Sequence, residues 1–165
     1  MTFFNRQRLT NDVFKIDVKR MRRGWYSDKY FENIGVMLRS LAEQGYLFKG
    51  DALSLSGVDL SNTEVGNLEV EMQWFTRRTG KVVVAGVDKA LTMLRHCSGY
   101  FNDDGKFINT WNHLEVEAVH DGDNVTFEGD PASIQPVIRV RGRYRDFALL
   151  ETPTLGLLTR SSRVA

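Results

Sequence analysis

The spacing of apolar residues divides the chain into segments of helical and strand-like period. Ser27 and Asp28 stand before a helical pattern that ends at Gly45. Ser and Asp accept hydrogen bonds from the first free amides of a helix, and Gly is common just after its end. The apolar positions that we expect on the inner face of this helix are Tyr30, Ile34, Met37, Leu38 and Leu41.

Other stretches give weaker helical signals. Residues 11–23 place apolar side chains among Lys and Arg and precede Gly24, which predicts one short basic helix. Asp88 to Arg95 predicts a second short helix, with Ala90, Leu91 and Leu94 turned inward. Residues 47–66 follow no clean period and are expected to form a loop or a short strand.

Between these helices the period changes to two. Leu68 to Trp74 alternates apolar and polar residues, and Thr79-Gly80 then leads into residues 81–85, which predicts a β-hairpin. Further strands are expected at 107–111, 114–119 and 125–128. The glycine-aspartate turns around residue 122 are similar to those of lipoyl- and biotin-carrier barrels. That turn has no lysine to modify, so the likeness concerns shape alone.

The last thirty residues combine a strand with a helix. Ile138 and Val140 alternate with arginines until Gly142, which is expected to end the strand. Asp146 is expected to cap the helix that follows. The apolar residues of this helix point nearly all round, so it should be buried on several sides. They are Phe147, Leu149, Leu150, Leu155, Leu157 and Leu158.

Composition narrows the class of protein. A length of 165 residues suits one domain, and 42% hydrophobic with 26% charged residues is ordinary for a globular protein. A net charge of +1 gives no general argument for binding nucleic acid or membrane. The single cysteine, Cys97, excludes an internal disulfide. With neither a leader pattern nor an apolar run of membrane length, a cytoplasmic protein is expected.

Two phrases of the sequence resemble one family. Residues 137–165, with G-R-Y-x-D-F, L-E-T-x-x-L-G and S-x-x-x-A, are similar to the end of the N-terminal region of nicotinate phosphoribosyltransferases. Residues 21–34 resemble the G-x-x-S-D-x-Y-F of the same family. The resemblance implies an α+β N-terminal domain of a type II phosphoribosyltransferase. Short helices would pack on an antiparallel sheet with a small barrel-like β portion.

The resemblance also implies how the chain is divided and what it does. Residues 1–150 would form the N-terminal domain, and 151–165 would begin the helix leading into a catalytic barrel that this chain lacks. The complete enzyme would join nicotinate to phosphoribosyl pyrophosphate in NAD salvage, with Mg²⁺ and ATP, neither bound by this chain alone. The expected partner is a second copy in a homodimer or the missing barrel domain.

The resemblance carries over two substrate-binding residues. The counterpart of Tyr30 stacks on the nicotinate ring held in the barrel of the neighbouring subunit. Asp28 would help to order that site, although a helix-capping role explains it equally well. No catalytic or metal-binding residue is assigned to this chain, since that chemistry would lie in the barrel.

Several other features allow more than one interpretation. His96 and Cys97 suggest a metal or nucleophile site, but a partly buried helix end explains them better. Glu69, Glu71, Glu115 and Glu117 are expected on solvated strand faces. The alternating arginines of the last strand would form either a cationic ridge near substrate phosphates or a solvated strand face. They are Arg139, Arg141, Arg143 and Arg145.

Two other functional classes stay open at this point. The basic cluster from Lys15 to Lys29, interleaved with Trp25 and Tyr26, suggests a nucleic-acid-binding module, although the near-neutral net charge argues against it. A non-catalytic interaction subunit that completes a separately encoded barrel is the other alternative.

Overall fold

Four α-helices and seven short strands make up a mixed α+β fold in the computed structural model, which describes residues 7–50 and 60–165. The predicted α+β class is therefore confirmed. The helices are α1 (Val18–Met21), α2 (Lys29–Glu43), α3 (Val87–Cys97) and α4 (Glu151–Val164). The strands are β1 (Glu69–Trp74), β2 (Gly80–Val83), β3 (Gly99–Phe101), β4 (Phe107–Asn109), β5 (Glu115–Ala118), β6 (Asn124–Phe127) and β7 (Ile138–Arg143).

All described strand pairs are antiparallel. The largest sheet has three strands in the order β1-β7-β5, so the last strand of the chain lies at its centre. The other two sheets pair β2 with β6 and β3 with β4. The strand segments expected near residues 108, 116 and 126 are confirmed.

The predicted hairpin of β1 with β2 is wrong, because the two strands belong to different sheets. β1 pairs with β7, which places Glu71 opposite Arg141 and Trp74 opposite Ile138. On one face of the sheet the paired residues carry opposite charges, and on the other face both are apolar, which favours this pairing. A turn signal such as Thr79-Gly80 predicts a change of direction but not which strand becomes the partner.

The core lies where α3 meets the sheets and the segment before α4. Val87, Ala90 and Leu94 of α3 are fully buried, as the sequence pattern predicted for the last two. Ile138 and Phe147 are equally buried and belong to the same apolar cluster. Each such large side chain contributes roughly 1.5–3 kcal/mol by leaving water, so this cluster is the main source of stability.

The boundaries of α2 agree with the prediction, and its inner face agrees at Leu38 but not at Tyr30 and Met37. Gly45 ends the helix in the left-handed conformation with φ of 59°. The buried side chains are Phe31 and Leu38, whereas Tyr30 and Met37 are 54% and 53% exposed. The buried stripe is thus rotated by one residue at the start of the helix. In the described part of the chain, no helix is both long and apolar enough to cross a membrane.

The single helix predicted for residues 11–23 is also wrong. A 3-10 turn at Asn11–Val13 is followed by extended backbone, and α1 starts only after Asp17. The Asp17 carboxylate accepts a hydrogen bond from the amide of Arg20, which makes it the cap of a separate short helix. Gly24 does follow the helix, with φ of 75°.

Two expectations for the C-terminal region need correction. β7 continues through Gly142 to Arg143, and α4 begins at Glu151 and not near Asp146. Asp146 lies in a 3-10 turn, is 4% exposed, and pairs with Arg143 at 2.8 Å, so it caps no helix. The ion pair holds the corner between β7 and α4.

The loop expected at residues 47–66 is described in part. Leu47 forms an isolated bridge with Glu64, and a 3-10 turn covers Val65–Asn67. Residues 51–59 of that prediction lie outside the described residues.

Candidate substrate-binding groove

Tyr30, the residue singled out by the sequence, lies at the surface in the first turn of α2. Its ring is tilted by 40° against that of Phe31, with 4.1 Å between the ring centroids. Phe31 is 3% exposed and Tyr30 is 54% exposed, so one ring anchors the helix and the other lies beside it facing solvent. The Tyr30 ring is therefore fixed by regular structure and free to contact another molecule.

Asp28 occupies the capping position of α2, but its side chain does something else. It makes no hydrogen bond to the amides of α2. Its carboxylate accepts from the Thr152 hydroxyl at 2.9 Å, and the Asp28 amide donates to the same hydroxyl oxygen at 3.3 Å. The expected side-chain cap is thus replaced by a link between the starts of α2 and α4.

A groove of about 560 Å³ lies beside the start of α2 and runs along α4 from Glu151 to Val164. Asp28 and Tyr30 line it from α2, and Leu155, Arg160 and further residues line it from α4. The two residues predicted for substrate binding therefore do lie together in one groove. The side chains that line it and carry charge are Asp28, Glu151, Arg160 and Arg163.

At the end of the groove that contains Asp28, the protonated forms of Glu151 and Tyr30 are favoured. Burial, and next the carboxylate of Asp28, raise the pKa of Glu151. Burial, and then the charges of Glu151 and Asp28, raise the pKa of the Tyr30 hydroxyl. The phenol of Tyr30 is therefore neutral at neutral pH.

A second groove lies on the other side of α4. It has a volume of about 840 Å³, a floor that includes Trp74 and Val84, and Arg77 and Arg78 along its lining. Four residues of α4 line both grooves, so the open face of the helix is a ridge between them. They are Glu151, Leu155, Thr159 and Arg163. Sequence reasoning missed this ridge, although the four-residue spacing of its members was a readable signal.

The four alternating arginines do not all lie on β7, because Arg145 belongs to the 3-10 turn that follows the strand. Arg139 pairs with Glu117, and Arg141 pairs with Glu71 and Glu115 from the two flanking strands. These pairs make a solvated, charge-balanced face, which supports that interpretation over a cationic ridge for both arginines. The glutamates accordingly lie on wet strand faces, as expected.

The His96–Cys97 pair has no catalytic surroundings. Cys97 is buried, and burial raises the pKa of its thiol to about 11, so the thiol is not a nucleophile at neutral pH. Among residues 7–50 and 60–165, no three His, Cys, Asp or Glu side chains are grouped to hold a metal ion.

The fold agrees with a comparison with known families. Residues 58–162 match the family described as quinolinate phosphoribosyl transferase, N-terminal domain. The match covers more than half of the chain, and the chain therefore belongs to this family. It carries the N-terminal domain of a type II phosphoribosyltransferase. No curated protein matches the chain at a significant level.

Proposed function

We propose that this domain forms one wall of the acceptor site of a nicotinate phosphoribosyltransferase. The complete enzyme would transfer the phosphoribosyl group of phosphoribosyl pyrophosphate to nicotinate, a step of NAD biosynthesis. The observation that carries the proposal is the ring of Tyr30, which is exposed on a fixed helix start beside a groove with charged residues. Membership of the family supports the phosphoribosyl chemistry.

The rigidity of the helix start supports a stacking role for Tyr30. The ring leans on buried Phe31, and the hydrogen bonds of Asp28 to Thr152 hold the start of α2 against α4. A flat acceptor ring presented by a partner would therefore meet a preorganised surface. Offset stacking contributes roughly 0.5–1.5 kcal/mol beyond the area buried. Asp28 acts here as a positioning residue.

The charges of the groove favour an acceptor with one carboxylate. Asp28 and Glu151 offset Arg160 and Arg163, so the groove holds no surplus of positive charge. Nicotinate carries one negative charge, whereas quinolinate carries two and would face stronger repulsion from the carboxylates. Quinolinate is the second candidate, because the matching family is named after that acid.

The remaining parts of the proposal concern the complete enzyme. Residues 1–150 act as the N-terminal domain, and 151–165 lead into a catalytic barrel that supplies the phosphate-binding cations. A homodimer places Tyr30 of one copy against the barrel of the other. Mg²⁺ and ATP act at the barrel, and the enzyme works in the cytoplasm. A separately encoded barrel completed by this domain is the alternative arrangement.

Substitution of Tyr30 in the complete enzyme tests the proposed role. Tyr30→Ala should raise the KM for nicotinate several-fold or more, because the stacking surface is lost. Tyr30→Phe should have a mild effect, since it keeps the ring. The measurement is steady-state kinetics with nicotinate varied at saturating phosphoribosyl pyrophosphate.

Met37→Ala is the matched control, because Met37 is equally exposed on α2 and does not line the groove. It should leave the KM unchanged. In a homodimer, mixing Tyr30→Ala with a variant inactive in the barrel should restore part of the activity. An unchanged KM for Tyr30→Ala would show that the ring has no part in acceptor binding.

The same enzyme can separate the two acceptors. We expect kcat/KM for nicotinate to exceed that for quinolinate, because the second carboxylate adds repulsion from Asp28 and Glu151. If quinolinate is the better acceptor, the choice of acid is wrong while the family and the role of Tyr30 stand.

A further inference from the structure

Three arginines gather around one aromatic ring at the corner where β7 ends. The guanidinium carbons of Arg39 and Arg143 lie 5.6 Å from the centroid of Tyr100, and that of Arg145 lies at 5.9 Å. They come from α2, from the end of β7 and from the 3-10 turn that follows it. The fold thus brings together cations that are distant in sequence.

The positive charge of this cluster exceeds its negative charge. Asp146 is the carboxylate that pairs with it, and both of its bonds go to Arg143, at 3.1 and 2.8 Å. Arg39 donates to the carbonyl of Phe101, at 3.1 Å. Within residues 7–50 and 60–165, no carboxylate forms an ion pair with Arg39 or Arg145.

Arg145 retains an unused donor inside the cluster. Its Nη2 donates to the Asn67 side-chain oxygen at 2.9 Å, and Arg143 approaches the same oxygen at 3.5 Å. Its Nε is buried and has no hydrogen-bond partner among the described residues. An unsatisfied buried donor of this kind carries a penalty that an added acceptor would remove.

Burial and neighbouring positive charge both disfavour the charged form of Arg145. Burial, followed by the charge of Arg143, lowers the pKa of Arg145; the carboxylate of Asp146 opposes this shift, and Arg39 adds a smaller decrease. The carboxylate of Glu64 is exposed and contacts the cluster indirectly. It accepts a hydrogen bond from the side-chain amide of Asn67 at 2.8 Å. Like charges are therefore held together by the fold without full local compensation.

The cluster is separate from the groove beside Tyr30. Arg39 follows Tyr30 by nine residues of α2, which at 1.5 Å per residue corresponds to about 14 Å along the helix. Neither Arg39 nor Arg145 lines either groove of α4. A ligand at the cluster would thus be distinct from the acceptor.

We propose that Arg39, Arg143 and Arg145 form a binding site for a phosphoryl group, either inorganic phosphate or a terminal phosphate monoester. Guanidinium groups present paired donors that match phosphate oxygens, and Arg143 and Arg145 already converge on one oxygen of Asn67. The buried Nε–H of Arg145 supplies a further donor. The site lies beyond the proposed acceptor role and does not depend on it.

Titration of the chain with inorganic phosphate, followed by the NMR signals of the arginine Nε–H groups, tests this site. Ionic strength is kept constant with chloride. The Arg145 signal should shift in a saturable way, and isothermal calorimetry should give the same dissociation constant. Ribose 5-phosphate, used in a parallel titration, shows whether the site prefers a free phosphate or a monoester.

Arg145→Gln should weaken phosphate binding about tenfold or more, because a hydrogen bond to a charged group is lost. If Arg145→Gln fails to fold, Arg39→Gln is the alternative variant, because it changes a residue on the surface of α2. It should also weaken phosphate binding. Arg141→Gln is the matched control, since it removes the same charge from β7 at a site already paired with Glu71 and Glu115. It should change the affinity by less than about twofold.

Two results would overturn the proposal. One is a linear, non-saturating shift of the Arg145 signal in the wild-type chain, equal for phosphate and chloride. The other is an equal loss of affinity in Arg141→Gln and Arg145→Gln, which would reflect the general positive charge of β7 and no defined site.

Discussion

The two faces of α4 show how one helix serves both the fold and the candidate site. Thr154 and Leu158, at four-residue spacing, are 0% and 6% exposed and face the core. Leu155 is 43% exposed and lies on the ridge between the two grooves. Packing within this chain fixes the first face but not the second. Packing among the described residues therefore leaves Leu155 on the ridge open to solvent.

The largest effect that we predict is a difference in the free energy of unfolding between substitutions on the two faces of α4. Leu158→Ala should lower the free energy of unfolding by about 2–5 kcal/mol, because it leaves a cavity in the core. Leu155→Ala, the matched change on the open face, should cost less than about 1 kcal/mol, since its side chain is already half in water. Urea unfolding followed by circular dichroism measures both. Equal losses would show that the ridge is part of the core.

The sequence predicted elements better than it predicted their partners. The position of α3 follows from side-chain spacing, and the boundaries of α2 follow from Ser27, Asp28 and Gly45, which are local properties of the chain. The choice of β7 as partner of β1 depends on contacts between residues some seventy positions apart, such as Glu71 with Arg141. A period of two contains no information about which strand lies alongside.

The candidate site was predicted through single residues and not through its shape. Tyr30 and Asp28 were predicted from residues 21–34, which resemble the family, and both residues line one groove in the structure. The bond from Thr152 to Asp28 joins residues 124 positions apart and has no signature in either local pattern. The same holds for the arginine cluster around Tyr100, whose members come from three elements.

A smaller effect tests how the groove is held open. Thr152→Val removes the hydroxyl that contacts Asp28 and should reduce stability by about 0.5–1.5 kcal/mol at most, because this hydrogen bond is exposed. Amide exchange at the start of α2 should quicken. Thr159→Val, on the same open face of α4, is the control and should leave that exchange unchanged. Equal exchange in both variants would mean that α2 is held by Phe31 alone.

The smallest effect concerns the protonation of Glu151 at the ridge. Its pKa in the folded chain is raised above the ordinary 4.5, first by burial and second by Asp28, so folding favours the protonated form. Stability should therefore fall as the pH rises from the ordinary value through the raised one, and the loss should persist at neutral pH. Glu151→Gln should remove this loss and be the more stable protein at pH 7.

Urea unfolding of both proteins between pH 3 and pH 8 measures that difference. It should vanish below the ordinary carboxyl pKa, where Glu151 is protonated in both states. In an Asp28→Asn background the difference should shrink but remain, because burial is the larger cause of the shift. Glu151 also lies in the first turn of α4, where the helix dipole stabilises a negative charge. A wild-type chain that gains stability over Glu151→Gln with rising pH would show that the dipole outweighs burial, and that the ridge favours an ionised carboxylate.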